Sequence, residues 1–194
     1  MANQMLETNF NVSASQTTNR DGNEGIFVRH VMKNLGKKDS YVLKRSFGSS
    51  IKSVDIAVYL SFLSITDGFG VSKFPGQEEV NFLVASLICA NEPLRSEWAH
   101  TNGSVPFETL LGKMYQNTTD SGRRRLRQLF MTDISNGEFA SSFRRIFNEM
   151  KQKVIVANIN YVALLRDLRN WDSESKWPRK KWAMAMMGQR TLDD

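Results

Sequence analysis

Apolar side chains in this chain recur every three or four positions, and that spacing confines it to packed helices. Phe27 pairs with Val31, and Val28 with Met32 and Leu35. Phe139, Phe143, Ile146, Phe147 and Met150 repeat the rhythm, as do Tyr161, Leu164, Leu165, Leu168 and Trp171. No stretch alternates apolar and polar residues as a strand ladder would. Besides the helix carrying Phe27–Leu35, the pattern predicts helices over 54–66, 77–91, 107–117, 123–131, 138–153, 159–172 and 178–188. Their ends carry recognisable signals. Pro75-Gly76 precedes Glu78 and Glu79, carboxylates suited to a first helical turn. Asp120-Ser121-Gly122 offers caps, Asn136-Gly137 is a breaker, and Pro178 fits a first turn. The expected fold is all-α, a compact bundle of about eight or nine helices.

Residues 1–22, rich in Asn, Ser, Thr and Gln, are expected to form a flexible polar arm. Residues 23–194 then make a single all-helical domain, with room for two sub-bundles meeting near 100–106, where Asn102-Gly103 and Pro106 mark a loop. The chain has 194 residues, 41% of them hydrophobic and 24% charged, an ordinary globular balance. Its longest apolar stretches, Val54–Ile65 and Val80–Ala90, fall short of the ~20 residues a membrane span needs. No basic region followed by an apolar block opens the sequence, and one cysteine, Cys89, excludes an internal disulfide. These features predict a cytoplasmic protein that folds without covalent staples or a membrane.

Charge is unevenly distributed. The net charge is +6, but residues 29–52 hold seven bases against one acid, and residues 121–194 hold fifteen bases against eight. Between them, residues 53–120 hold three bases and eight acids. Two basic blocks flanking an acidic middle describe a directed field, and the partner such a field selects is a polyanion.

Helical geometry separates the arginines from the core. Leu126, Leu129 and Phe130 share one face, and Arg124 points away from it. Arg127 flanks Arg124, while Arg123 and Arg125 border the apolar stripe. Arg144 and Arg145 leave their helix on opposite flanks of the Phe139–Met150 stripe. Arg166 and Arg169 share a flank of the next helix, and Arg125 and Arg166 are also placed to brace a carboxylate across helices. Any one of these arginines alone is an ordinary solvated residue. The set, extended by Arg179, Lys180 and Lys181 on charge alone, has the planar, permanently charged donor forks that fit phosphate oxygens.

Other chemistries find little support. His30 and His100 lack metal-ligand spacing, and no Gly-rich phosphate loop, nucleophile elbow or His-Glu-x-x-His motif occurs. Gly68-Phe69-Gly70 lacks a strand–helix context. Trp171, Trp177 and Trp182 sit at helical spacing beside Leu and Met, where core packing is the plainer role than base stacking. The Met-rich 183–187 run reads as packing too. No enzyme, metal or cofactor is expected.

In order along the chain stand Tyr41-Val42-Leu43-Lys44-Arg45, Phe82–Leu87, Pro106–Leu111, Arg123–Phe130 ending at Asp133, Phe143-Arg144-Arg145, Asn160–Trp171 and Lys181-Trp182-Ala183. Over residues about 26–188 this ordered set resembles the small helical subunit of the type I-E CRISPR surveillance complex, Cascade. Lys44 stands where that family usually has arginine. The resemblance implies a non-catalytic subunit, present as two copies in a guide-RNA ribonucleoprotein, that stabilises the guide–target hybrid and the displaced DNA strand in antiviral defence. It implies partners: target DNA, guide RNA, the large and backbone subunits, and a second copy of the chain. The phosphate-contacting residues it implies are Lys44, Arg45, Arg123, Arg124, Arg125, Arg127, Arg144, Arg145, Arg166 and Arg169. The alternative left open by the residues themselves is a free-standing helix-turn-helix regulator reading one duplex site.

Overall fold

The computed structural model describes residues 22–72, 76–91, 105–153 and 159–188, and these contain ten α-helices and no strand. In chain order they are α1 (Gly22–Lys33), α2 (Lys38–Ser46), α3 (Ile56–Thr66), α4 (Phe69–Ser72), α5 (Glu78–Ala90), α6 (Phe107–Gln116), α7 (Asp120–Met131), α8 (Glu138–Lys153), α9 (Tyr161–Arg169) and α10 (Trp177–Met186). The polar arm expected over 1–22 lies outside the described residues, save Gly22, which opens α1. Most of the expected boundary at 100–106 lies outside them as well. An isolated β-bridge joins Val105 to Ile159.

Local chemistry sets the helix ends. Asp55 caps α3 by accepting from Val58 N at 2.9 Å, and Asn160 caps α9 by accepting from Ala163 N at 2.8 Å. The α7 cap is Thr119, whose hydroxyl accepts from Gly122 N, so Asp120 falls in the first turn and the helix starts earlier than expected. α9 stops at Arg169 rather than near 172, because Asn170 closes the helix with backbone bonds to Arg166 and Asp167. α4, a single turn at Phe69–Ser72, was not anticipated. It brings Gly70 against the rings of Phe27 and Phe62, an approach a larger residue would block.

One hydrophobic core runs through the described helices. α2 packs on α3 and α5, α9 on α5 and α1, α10 on α6, and α7 on α8. Rings hold the centre: Trp171 and Trp182 meet edge to face with centroids 4.9 Å apart, Phe107 stacks on Phe143 at 5.3 Å, and Phe47 abuts Phe147 at 5.7 Å. Each fully buried ring contributes about 2–3 kcal/mol of transfer free energy. Trp171 and Trp182 are therefore core residues as expected, whereas Trp177 is 46% exposed. Met186 is buried but Met187 projects into solvent, so the Met-rich run divides between packing and surface. Cys89 is a buried free thiol.

Candidate nucleic-acid interface

α8 is the middle rail of the basic surface. Its apolar stripe faces the core, so Arg144 and Arg145, consecutive and about 100° apart, leave on opposite sides. Arg144 lies across the turn that ends α2. That turn has Gly48 at φ +90°, and a Cβ on Gly48 would overlap the Arg144 side chain. Lys44 and Arg45, both exposed, stand one helical turn before it. Phe47 fixes this approach by wedging its ring against Phe143 and Phe147.

On its other flank α8 runs antiparallel to α7, and the two enclose an open cleft of about 270 Å³ lined by Arg125, Gln128, Glu138, Ser141, Ser142 and Arg145. Arg125 spans the cleft to Glu149 Oε2 at 2.7 Å and donates to Ser121 Oγ at 2.9 Å. It thus braces a carboxylate across helices while its side chain stays 42% exposed. Arg124 and Arg127 are exposed, and neither they nor Arg45, Arg144 and Arg145 form an ion pair with a carboxylate among the described residues. Arg123 is half-buried: its guanidinium lies 5.4 Å from the Tyr115 ring centre, and one oxygen of Asp120 is 3.4 Å away. The cationic run is therefore α2, then Arg144, Arg145, and the outer face of α7.

Three expected contact residues are placed elsewhere. Arg179 is buried, and its guanidinium donates to Trp171 O at 2.9 Å, Phe130 O at 3.0 Å, Asp172 Oδ1 at 2.6 Å and Asp133 Oδ1. It also lies over the Trp171 ring. The hydrogen bond from Arg179 holds the Asp133 carboxyl below the usual aspartate range. Arg169 reaches inward to Glu24 Oε1 at 3.0 Å and Asn81 Oδ1 at 2.8 Å, tying α9 to α1 and α5. Burial draws the Arg169 pKa down, and Glu24 partly offsets it. Lys181 sits between Asp167 at 2.7 Å and Glu108 at 3.1 Å. Burial opposes its charge, but the two carboxylates outweigh that and leave its pKa above the ordinary lysine value. These three side chains join elements inside the molecule instead of facing a strand, because carboxylates or carbonyls of neighbouring elements lie within hydrogen-bond reach of them. Arg166 on α9 and Lys180 on α10 are exposed, and no hydrogen bond or ion pair links either side chain to the run.

Sequence reasoning gave no contact role to Lys38 or Tyr41, nor to Gln128, Ser141 and Ser142 of the cleft. Plotting α2 as a helix places Lys38 and Tyr41 on the same outer face as Lys44 and Arg45. Nothing in the sequence brings Gln128 to Ser141, since the α7–α8 pairing is tertiary. Among the described residues no group of three or more His, Cys, Asp or Glu could hold a metal ion, and no helix is long and apolar enough to cross a membrane.

Fold and surface together define a class: a small all-helical protein with exposed arginines on several of its helices. Residues 43–185 match the family model of CRISPR-associated protein Cse2. The chain belongs to that family, as the ordered motifs led one to expect. Its fold is similar to that of a chain from a CRISPR RNA-guided surveillance complex, with 17% identity and a TM-score of 0.57 over 87% of this chain and 93% of that one. No curated protein matches it.

Proposed function

We propose that this chain is a non-catalytic, nucleic-acid-binding subunit of a type I-E CRISPR Cascade ribonucleoprotein, holding the guide RNA–target DNA hybrid and the displaced strand through arginine and lysine contacts to phosphates. The feature that supports it most is the set of exposed cations made of Lys44 and Arg45 on α2, Arg144 and Arg145 on α8, and Arg124, Arg125 and Arg127 on α7. Its arginines come from three helices, and all but Arg125 are without a carboxylate partner among the described residues. Exchanging a DNA duplex for an equally long RNA–DNA hybrid is nearly balanced, so a few backbone contacts decide the outcome. Phosphates carry no base code, and sequence would be read by pairing to the guide. The partners in this reading are target DNA, guide RNA, the large and backbone subunits and a second copy of the chain, in the cytoplasm. Arg169, Arg179 and Lys181 hold the fold together in it, and Arg123 contributes from the edge of the set.

The test is R-loop lifetime in the reconstituted complex. Reversing charge at Arg124 and Arg144 together should shorten that lifetime at least ten-fold while circular dichroism stays unchanged. An unaltered lifetime in a complex that incorporates the variant rejects the proposal.

A further inference from the structure

α2 carries one acid, Asp39, and that carboxylate turns inward. One oxygen accepts from Ser61 Oγ at 2.9 Å and the other from Ser64 Oγ at 2.7 Å, both on α3. The outer face is left with Lys38, Tyr41, Lys44 and Arg45, all exposed, within an arc of about 120° at 100° per residue. Tyr41 lies in the middle of that arc. Its neighbours at three residues before, three after and four after are all cations, one turn or about 5.4 Å along the axis. Packing does not call for the ring, which is 50% exposed, because Leu43 and Ser40 are the buried residues of this helix.

Trp177 is comparably exposed but stands in mixed charge, with Glu174 three residues before it and Asp133 and Asp172 gathered on Arg179 two residues after. Tyr41, of the two, is the ring whose neighbours one turn away on its own helix are all cations. A flat π-face between phosphate-seeking charges is the arrangement that takes an unpaired base, and a duplex hides its base faces within the stack.

We infer that the outer face of α2 is a stacking platform for single-stranded nucleic acid, in which Tyr41 receives one nucleobase while Lys38, Lys44 and Arg45 hold the adjoining phosphates. This rests on the phosphate-binding reading above and adds to it a stacking contact with an unpaired base.

The experiment compares binding of the full chain to oligo(dT) and to an equally long oligodeoxynucleotide made wholly of abasic sites, by fluorescence anisotropy at low salt. The two strands carry the same phosphates, so their difference isolates stacking. The wild-type chain should bind oligo(dT) about ten-fold more tightly than the abasic strand. Tyr41→Ala should abolish that difference and leave abasic affinity unchanged, and Tyr41→Trp should keep it. Trp177→Ala should also keep it. A Tyr41→Ala chain that retains the preference, or that weakens on both strands alike, overturns the inference, as does loss of the preference in Trp177→Ala alone. A wild-type chain that binds both strands equally overturns stacking but spares the phosphate reading; one that binds neither overturns both.

Discussion

At the residue scale, the fate of a cation is decided by what lies within a few ångströms. Arg124 and Arg179 are the same side chain in the same basic composition, yet one faces solvent and the other is a buried joint between α7, the turn after α9, and α10. Four acceptors converge on Arg179, two of them backbone carbonyls. Replacing Arg179 with Met keeps much of the volume but strands those carbonyls, at about 1–3 kcal/mol for each one left without a donor. For a loss of about 2 kcal/mol the melting temperature should fall by about 4–8 °C. Calorimetry reads this, and an unchanged melting temperature would contradict the joint. The apolar faces were legible in the sequence because helical spacing reports them directly. The partners of Arg169, Arg179 and Lys181 were not: Glu24 lies 145 residues from Arg169, and no local pattern encodes a contact of that span.

At the scale of elements, the turn between α2 and the 3₁₀ turn at Ile51–Ser53 matters as much as any helix. Gly48 at φ +90° admits the Arg144 stem where a side chain would collide with it. Gly48→Ala should cost about 1–2 kcal/mol from the backbone alone and push Arg144 away from Lys44 and Arg45. The expected result is a lower melting temperature together with weaker DNA binding. Full DNA affinity in a destabilised variant would show that Arg144 acts independently of α2. The eight helical segments expected from spacing agree with the structure to within a few residues, apart from the N-terminal extension of α1 back to Gly22. Where α7 and α9 differ at their ends, a single cap or turn residue, Thr119 or Asn170, accounts for it. α4 escaped notice because one turn is too short to show a period, and α2 was not among the segments expected from spacing.

At the scale of the whole molecule, the proposed function sets the phosphate contacts on α2, α8 and α7. If each copy neutralises ~6 phosphates of a single strand, log affinity should fall with log salt at a slope of about −4. Removing Arg124 and Arg144 by Gln substitution should reduce that slope by about 1.4, at ~0.7 per contact. Affinity measured over a salt series checks this, and a slope unmoved by the double substitution would place the contacts elsewhere. The order of motifs along the chain already pointed to the family that the match over 43–185 establishes.

The amino-acid sequence determined the helical class, the faces turned to the core and the cationic character of two segments, because these depend on spacing and composition within a few turns. Only the tertiary structure decided which carboxylates hold Arg125, Arg169, Arg179 and Lys181. That choice depends on how distant helices pair, as α7 does with α8 and α2 with the Arg144 flank, and pairing depends on packing rather than on any local repeat.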